Sequence, residues 1–357
     1  MGKSEKKKVE PNEKEDNISI SNAMIRYSND ILNYSDAVSF LQKPDLDKDN
    51  ITRILCWLIV LKIIPDSQLQ SAIGVSKLVT KYQKESKNNL KDFYDDPLSA
   101  IPKNESRVIV ADINRSIFWF ETMAKQVKLD EYYFKSVRER VYRIFSLISL
   151  RKESYIQGFD RYVLISYLLG LIFISKSGLS PDVAEALSFF ISRSLISIAR
   201  PGDLLADNSV TEEHFSKLDK KINESAPEVG QIMESLGISS ILFALRWQLL
   251  IFADEHDLKG TLFIWDNVIV HSLNYPQYIE NLSVAHICQI PKDSTGNIIE
   301  TIQRFRQWDN LEIVRKADFL CEKKNGKERR VGLFSYLLFI ILLVIIVWYI
   351  YDALKIE

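Results

Sequence analysis

The sequence predicts an all-α chain: a globular helical array followed by a single carboxy-terminal transmembrane helix. Three observations carry this expectation. From about Ala23 apolar residues recur at helical spacing, strand-like alternation with Asn-Gly or Asp-Gly turns is scarce, and the run Val331–Tyr351 contains no charge. At 357 residues, with 46% hydrophobic and 26% charged, the chain is long enough for a sizeable core. Its 46 basic and 47 acidic residues nearly cancel, so no global field draws nucleic acid and no nucleic-acid partner is expected. Cys56, Cys288 and Cys321 are odd in number and far apart, which fits neither a disulfide framework nor a zinc site and agrees with a reducing compartment. His214, His256, His271 and His286 show no ligand spacing, so they are read as surface or packing residues and no metal is expected.

Residues 1–22 hold ten charges in their first sixteen positions and too few apolar groups to offset chain entropy, which predicts a disordered tail. Lys6 stands where a myristoylation signal needs Ser or Thr, and no apolar signal-peptide core follows. Residues 51–65, ITRILCWLIVLKIIP, stop at Pro65 and are interrupted by Arg53 and Lys62; they predict a core helix too short to span a bilayer. The polar stretch 75–107, with Pro97 and Pro102 as breakers, predicts a mobile connection. Helices are expected at 112–124, 130–151, 159–176 and 181–198. After the break at Arg200-Pro201-Gly202 they are expected at 211–222, 226–236, 239–256 and 259–272. With no internal repeat, about ten helices and short loops describe an array with ridge-into-groove contacts.

Val331–Tyr351 is twenty-one residues long, and a helix of that length covers about 31 Å, close to the hydrocarbon thickness of a bilayer. Trp348, Tyr349 and Tyr351 supply an interfacial aromatic belt. Seven Lys or Arg residues lie between Arg315 and Arg330, whereas only Lys355 follows the span, so the bulk of the chain is placed in the cytosol. This is a tail-anchor layout: a basic juxtamembrane linker at 311–330, a transmembrane helix at 331–351 and a short lumenal tail at 352–357.

Two polar clusters interrupt the apolar pattern. Asp112 and Arg115 are three apart, which on a helix lets the carboxylate hold the guanidinium; alone, such a pair is most often a surface ion pair contributing under about 1 kcal/mol. Tyr155-Ile156-Gln157-Gly158 is a polar break between two long apolar stretches. The chain order is VIVADINRS, ESYIQGFD, ALRWQLLIFADEHDL and LFIWD.

Taken together these segments resemble the TBC domain of Rab GTPase-activating proteins, over about residues 45–310. That family uses I-x-x-D-x-x-R to supply an arginine finger and Y-x-Q-G to supply a glutamine finger. Val108 or Ile109, before Asp112 and Arg115, matches the first, with Ser116 where Thr is usual; Tyr155, Gln157 and Gly158 match the second, with Phe159-Asp160 for the commoner Met-Asn. Arg53 and Trp57 match its opening Arg-x-x-x-Trp.

The resemblance implies that Arg115 compensates charge at the β and γ phosphates of a bound GTP-loaded Rab and that Gln157 orients the attacking water. Asp112 would fix Arg115, Tyr155 would pack behind Gln157, and Gly158 would let the chain turn or approach the Rab closely. The resemblance further implies that the chain needs no cofactor of its own, because the Rab would carry GTP and Mg, and that it is an activator and not itself an enzyme. Arg246, Trp247 and Trp265-Asp266 are read mainly as core and helix-capping positions.

YIQGFD, the run His286–Pro291 and the anchor resemble the membrane-anchored branch that acts on Rabs of early secretory traffic at the endoplasmic reticulum. The family typically carries a further helix between its W-D or Y-D segment and its Q-I-P run, and residues 274–283 leave little room for one, so a shortened or rearranged carboxy-terminal lobe is expected. The alternative is a catalytically silent, membrane-anchored Rab-binding adaptor. A fusion protein of the SNARE type would need heptads beside the anchor, which Pro291 and the interrupted 292–330 pattern do not provide.

Overall fold

One helix has no polar face, and the others pack around it. This computed structural model describes Asn22 and residues 33–65, 73–151, 154–291 and 298–323. The rest of the 1–22 tail, the end of the basic linker, the 331–351 run and the 352–357 tail lie outside the described residues. Among the described residues no helix is long and apolar enough to cross a membrane.

In chain order the helices are α1 (Tyr34–Leu41), α2 (Asn50–Val60), α3 (Ile73–Asn89), α4 (Lys103–Gln126), α5 (Val137–Leu150), α6 (Phe159–Ser177) and α7 (Pro181–Ala199). There follow α8 (Pro201–Leu205), α9 (Asn208–Ser225), α10 (Pro227–Ser235), α11 (Ile241–Leu249), α12 (Leu258–Val270), α13 (Tyr275–Ile287), α14 (Ile298–Arg304) and α15 (310–323). Asn33, Asp49, Ser180, Asp207 and Asp257 each accept a hydrogen bond from a first-turn amide, so the starts of α1, α2, α7, α9 and α12 are written in the sequence as side-chain caps.

Fifteen of the nineteen residues of α6 are buried, which makes it the central helix. It packs along α7, with α2 and α4 on other sides. Gly170 permits the α6–α7 approach: a Cβ there would sit 2.8 Å from Ala184 Cα. Two buried carboxylates cross-link the outer helices. Asp266 on α12 accepts from Lys48 Nζ at 3.0 Å, Arg53 Nε at 3.1 Å and Trp57 Nε1 at 2.8 Å. Glu185 on α7 accepts from Tyr82 at 2.6 Å, Arg140 at 2.7 Å and Arg143 at 2.7 and 2.8 Å.

Several expectations are corrected. The 75–107 stretch is no connection: α3 runs through it to Asn89, burying Val75, Leu78, Val79 and Tyr82 along one stripe, and α4 begins at Lys103. The helix expected at 239–256 stops at Leu249, where Ile251 and Phe252 turn the chain with φ of 46° and 58°. Residues 274–283 are not short of a helix, since the thirteen-residue α13 occupies them. Asp266 is no cap; it sits inside α12. Ile313, Val314 and Ala317 of α15 are buried, so the start of the basic linker packs on the domain.

His286 and His256 form a buried pair beneath Trp308, with the His286 ring stacked 4.1 Å from Phe252. His286 Nδ1 lies 2.7 Å from the Leu282 carbonyl, which only accepts, so Nδ1 carries the proton and Nε2 accepts from His256 Nε2 at 2.9 Å. Burial pushes the His286 imidazole down to about 3 from its ordinary 6.5. Burial, with His286 and Arg306 nearby, likewise lowers His256. The unfolded chain therefore binds these protons as pH falls through 6.5 while the folded chain does not, so stability is complete above that value and lost below it. The melting midpoint is expected to fall between about pH 7 and about pH 5, and His286→Phe to flatten that slope. Thermal unfolding at stepped pH checks this; an identical slope in the variant contradicts the assignment.

Candidate functional site

Helix α4 grips the 155–158 turn at two points two helical turns apart. Glu105 Oε1 accepts from the Tyr155 amide at 2.8 Å, and Asp112 Oδ2 accepts from the Tyr155 hydroxyl at 2.7 Å. The seven-residue spacing of the two carboxylates places them on one helix face. Edge-on contacts to Phe145 and Phe159, at 5.3 and 5.7 Å, fix the Tyr155 ring. Burial and the adjacent Asp160 and Asp112 carboxylates push the Tyr155 phenol far above its usual range, so it stays a donor.

Asp112 is 3% exposed and its other oxygen pairs with Arg115, whose side chain is 65% exposed. Asp112 therefore faces both motifs. Gln157 is exposed on the turn, and Gly158 behind it starts α6 with φ +110°, a value L side chains rarely adopt. A Cβ at Gly158 would lie 2.8 Å from Leu250 Cδ2, so the close approach this glycine permits is to the chain's own 249–250 segment.

Arg115 and Gln157 line one groove of about 600 Å³. Three walls come from α4, from the turn with the first residues of α6, and from α11 with the 250–254 turn, and Leu205 at the end of α8 also lines it. Leu205, Leu245, Leu249 and Leu250 give it apolar lining, while Arg115 pairs with Asp112, Arg161 with Asp160 and Asp254, and Arg246 with Glu255. Ile251, β-branched and left-handed, is a backbone conformation costing about 1–3 kcal/mol. Its carbonyl is held by Trp265 Nε1 at 2.9 Å, which secures the turn beside the groove.

Sequence reasoning placed Arg246 mainly in the core, but its side chain is 53% exposed at the groove, paired with the buried Glu255; Trp247 beside it is buried as expected. Asp160, Arg161 and Asp254 were not identified as site residues. Ser116 and Asp160 touch each other: the Ser116 hydroxyl donates to Asp160 Oδ2. Burial raises the Asp160 carboxyl, with Arg161 and Ser116 opposing. Among the described residues no group of three or more His, Cys, Asp or Glu side chains is placed to hold a metal ion. The groove offers an exposed guanidinium and an exposed amide at one mouth, an arrangement suited to a phosphate and a water brought by a partner.

The family described as Rab-GTPase-TBC domain matches residues 50–288. The chain belongs to that family. The TBC domain shares its fold with the crystal structure of the Ypt/Rab-GAP domain of Gyp1p, with a TM-score of 0.60 at 14% identity, covering 84% of this chain and 97% of that one. No curated protein matches in sequence. TBC-domain proteins are GTPase activators, and their partner is a Rab GTPase. Residues 109–115 and 155–158 of this TBC domain lie inside the matched span, and Arg115 and Gln157 line the same groove.

Proposed function

We propose that the chain is a GTPase-activating protein for a Rab of early secretory traffic, supplying Arg115 and Gln157 in trans to the Rab active site. The observation that carries this reading is that the two side chains, from separate motifs joined by the Tyr155–Asp112 hydrogen bond, line one groove. In the free chain Arg115 rests on Asp112. The Arg115 side chain is largely exposed there, so phosphate oxygens can replace the Asp112 oxygen as its acceptors when a Rab docks. Asp112 keeps the Tyr155 hydroxyl on its second oxygen throughout.

At the Rab nucleotide the guanidinium fork spans β and γ oxygens and offsets the charge that develops there. Gln157 holds the attacking water with its carbonyl and amide groups, leaving GTP and Mg to the Rab. An arginine supplied in this way is worth roughly 10³ to 10⁵ in rate, about 4 to 7 kcal/mol. Val331–Tyr351 anchors the chain at the endoplasmic reticulum or a neighbouring early secretory membrane, with the TBC domain in the cytosol; the uncharged run and the basic residues before it support this placement.

With full-length chain purified in detergent and a panel of GTP-loaded Rabs, at least one Rab is expected to be accelerated. Arg115→Ala is expected to remove roughly 10³-fold or more of that acceleration and Gln157→Ala at least about a hundredfold, with melting midpoints unchanged because both side chains are exposed. An inert wild-type chain contradicts the reading, and binding of GTP-loaded Rab without turnover selects the adaptor instead. Deleting residues 331–357 is expected to release a fluorescent fusion from membranes into the cytosol; a full-length chain that is already soluble contradicts the anchor.

A further inference from the structure

Arg161 lies at the floor of the groove, in the first turn of α6 and three residues beyond Gly158. Its guanidinium reaches in three directions. Nε donates to Asp254 Oδ1 at 2.6 Å, and Nη1 donates to Asp160 Oδ2 at 2.6 Å and to Ser116 Oγ at 2.5 Å. The Ser116 hydroxyl passes its own proton toward the same Asp160 oxygen, so its single donor and an acceptor pair are both used. The guanidinium lies over the Trp119 ring, with Cζ 4.5 Å from the ring centre.

These contacts join the three walls of the groove. Ser116 and Trp119 belong to α4, and Ser116 directly follows Arg115. Asp160 belongs to the start of α6, three residues after Gln157. Asp254 belongs to the turn after α11. Resting on the GTPase-activating reading above, we propose that Arg161 is a positioning residue that sets the separation of Arg115 and Gln157 across the groove.

The geometry distinguishes Arg161 from Arg115. Arg115 has one carboxylate and a side chain 65% exposed, so it is free to leave; Arg161 has two carboxylates, a hydroxyl and a ring, and is 14% exposed, so it stays. A guanidinium does this because Nε and the Nη groups are fixed in one plane and address partners on different sides, while the face stacks. A lysine offers one point charge, which satisfies Asp160 or Asp254 but does not hold both with the Ser116 hydroxyl in one plane. Loss of the clamp therefore leaves both fingers present but misplaced. A shift of about 1 Å in such groups costs up to about a hundredfold in rate.

The test measures hydrolysis by the GTP-loaded Rab on which wild-type chain is most active, with kcat and KM read separately for Arg161→Met, Arg161→Lys and Asp254→Asn, and rates scaled to folded protein. Arg161→Met is expected to lower kcat by about tenfold or more with KM within about twofold, because the fingers act at the reacting phosphate. Arg161→Lys is expected to recover only part of kcat, and Asp254→Asn, on the partly exposed arm, to lower it by about threefold. Variants whose kcat per folded molecule stays within about twofold of wild type overturn the proposal, as does complete rescue by lysine or a loss confined to KM. A wild-type chain inert on every Rab overturns the parent reading and this one with it, whereas an active wild type with an indifferent Arg161→Met overturns this one alone.

Discussion

The hydrogen bond from the Tyr155 hydroxyl to Asp112 Oδ2, 2.7 Å long, joins the helix that carries Arg115 to the turn that carries Gln157. Everything proposed for the groove depends on it. Asp112 is buried and would be costly to leave unpaired. The hydroxyl satisfies one of its oxygens and Arg115 the other. In the proposed reading one carboxylate serves a fixed neighbour and a departing one, and the arginine is held ready without being locked.

The bond is placed by a scaffold that offers little choice. Buried on nearly every side, α6 has its first residue and the left-handed Gly158 brought to the edge of the groove by its packing against α7 and α2. Asp266 ties α2 to α12 and Glu185 ties α3 and α5 to α7. Such buried pairs add little net stability compared with apolar packing, but removing one partner leaves a buried charge. They penalise other arrangements of these helices. The groove walls inherit that restriction, with Arg161 completing it where α4, α6 and the 250–254 turn meet.

Much of this was legible in the sequence for reasons of local chemistry. The limits of α6 and α7 follow from an apolar run ended by Ser177-Gly178 and from Ser180-Pro181 at the next start. Asp112, Arg115, Tyr155, Gln157 and Gly158 were singled out through the resembled family's motifs; Asp112, Arg115, Gln157 and Gly158 line one groove, with Tyr155 bonded to Asp112. Helix α3 was missed because only a narrow stripe, Val75 to Tyr82, is apolar and the Lys, Asn and Ser around it read as a connection. The turn at Ile251-Phe252 was missed because its left-handed backbone is imposed by Trp265 and Trp247, not by a Gly or Asn that a sequence displays. Ser116 and Asp160 were seen only as separate departures from a motif. Their contact joins residues 44 apart in the chain, and with it the role of Arg161 appears only in three dimensions.

The central claim is that Arg115 meets charge that develops only during hydrolysis, and complex formation with a transition-state mimic tests it most directly. The full-length chain is mixed with the responsive Rab loaded with GDP, with GDP plus aluminium fluoride, or with a non-hydrolysable GTP analogue, and binding is measured for wild type and Arg115→Ala. The account predicts a complex markedly tighter with aluminium fluoride than with either other nucleotide state, and loss of that extra affinity in the variant. Equal affinity for the GTP analogue and the aluminium fluoride state, unchanged by Arg115→Ala, would contradict it.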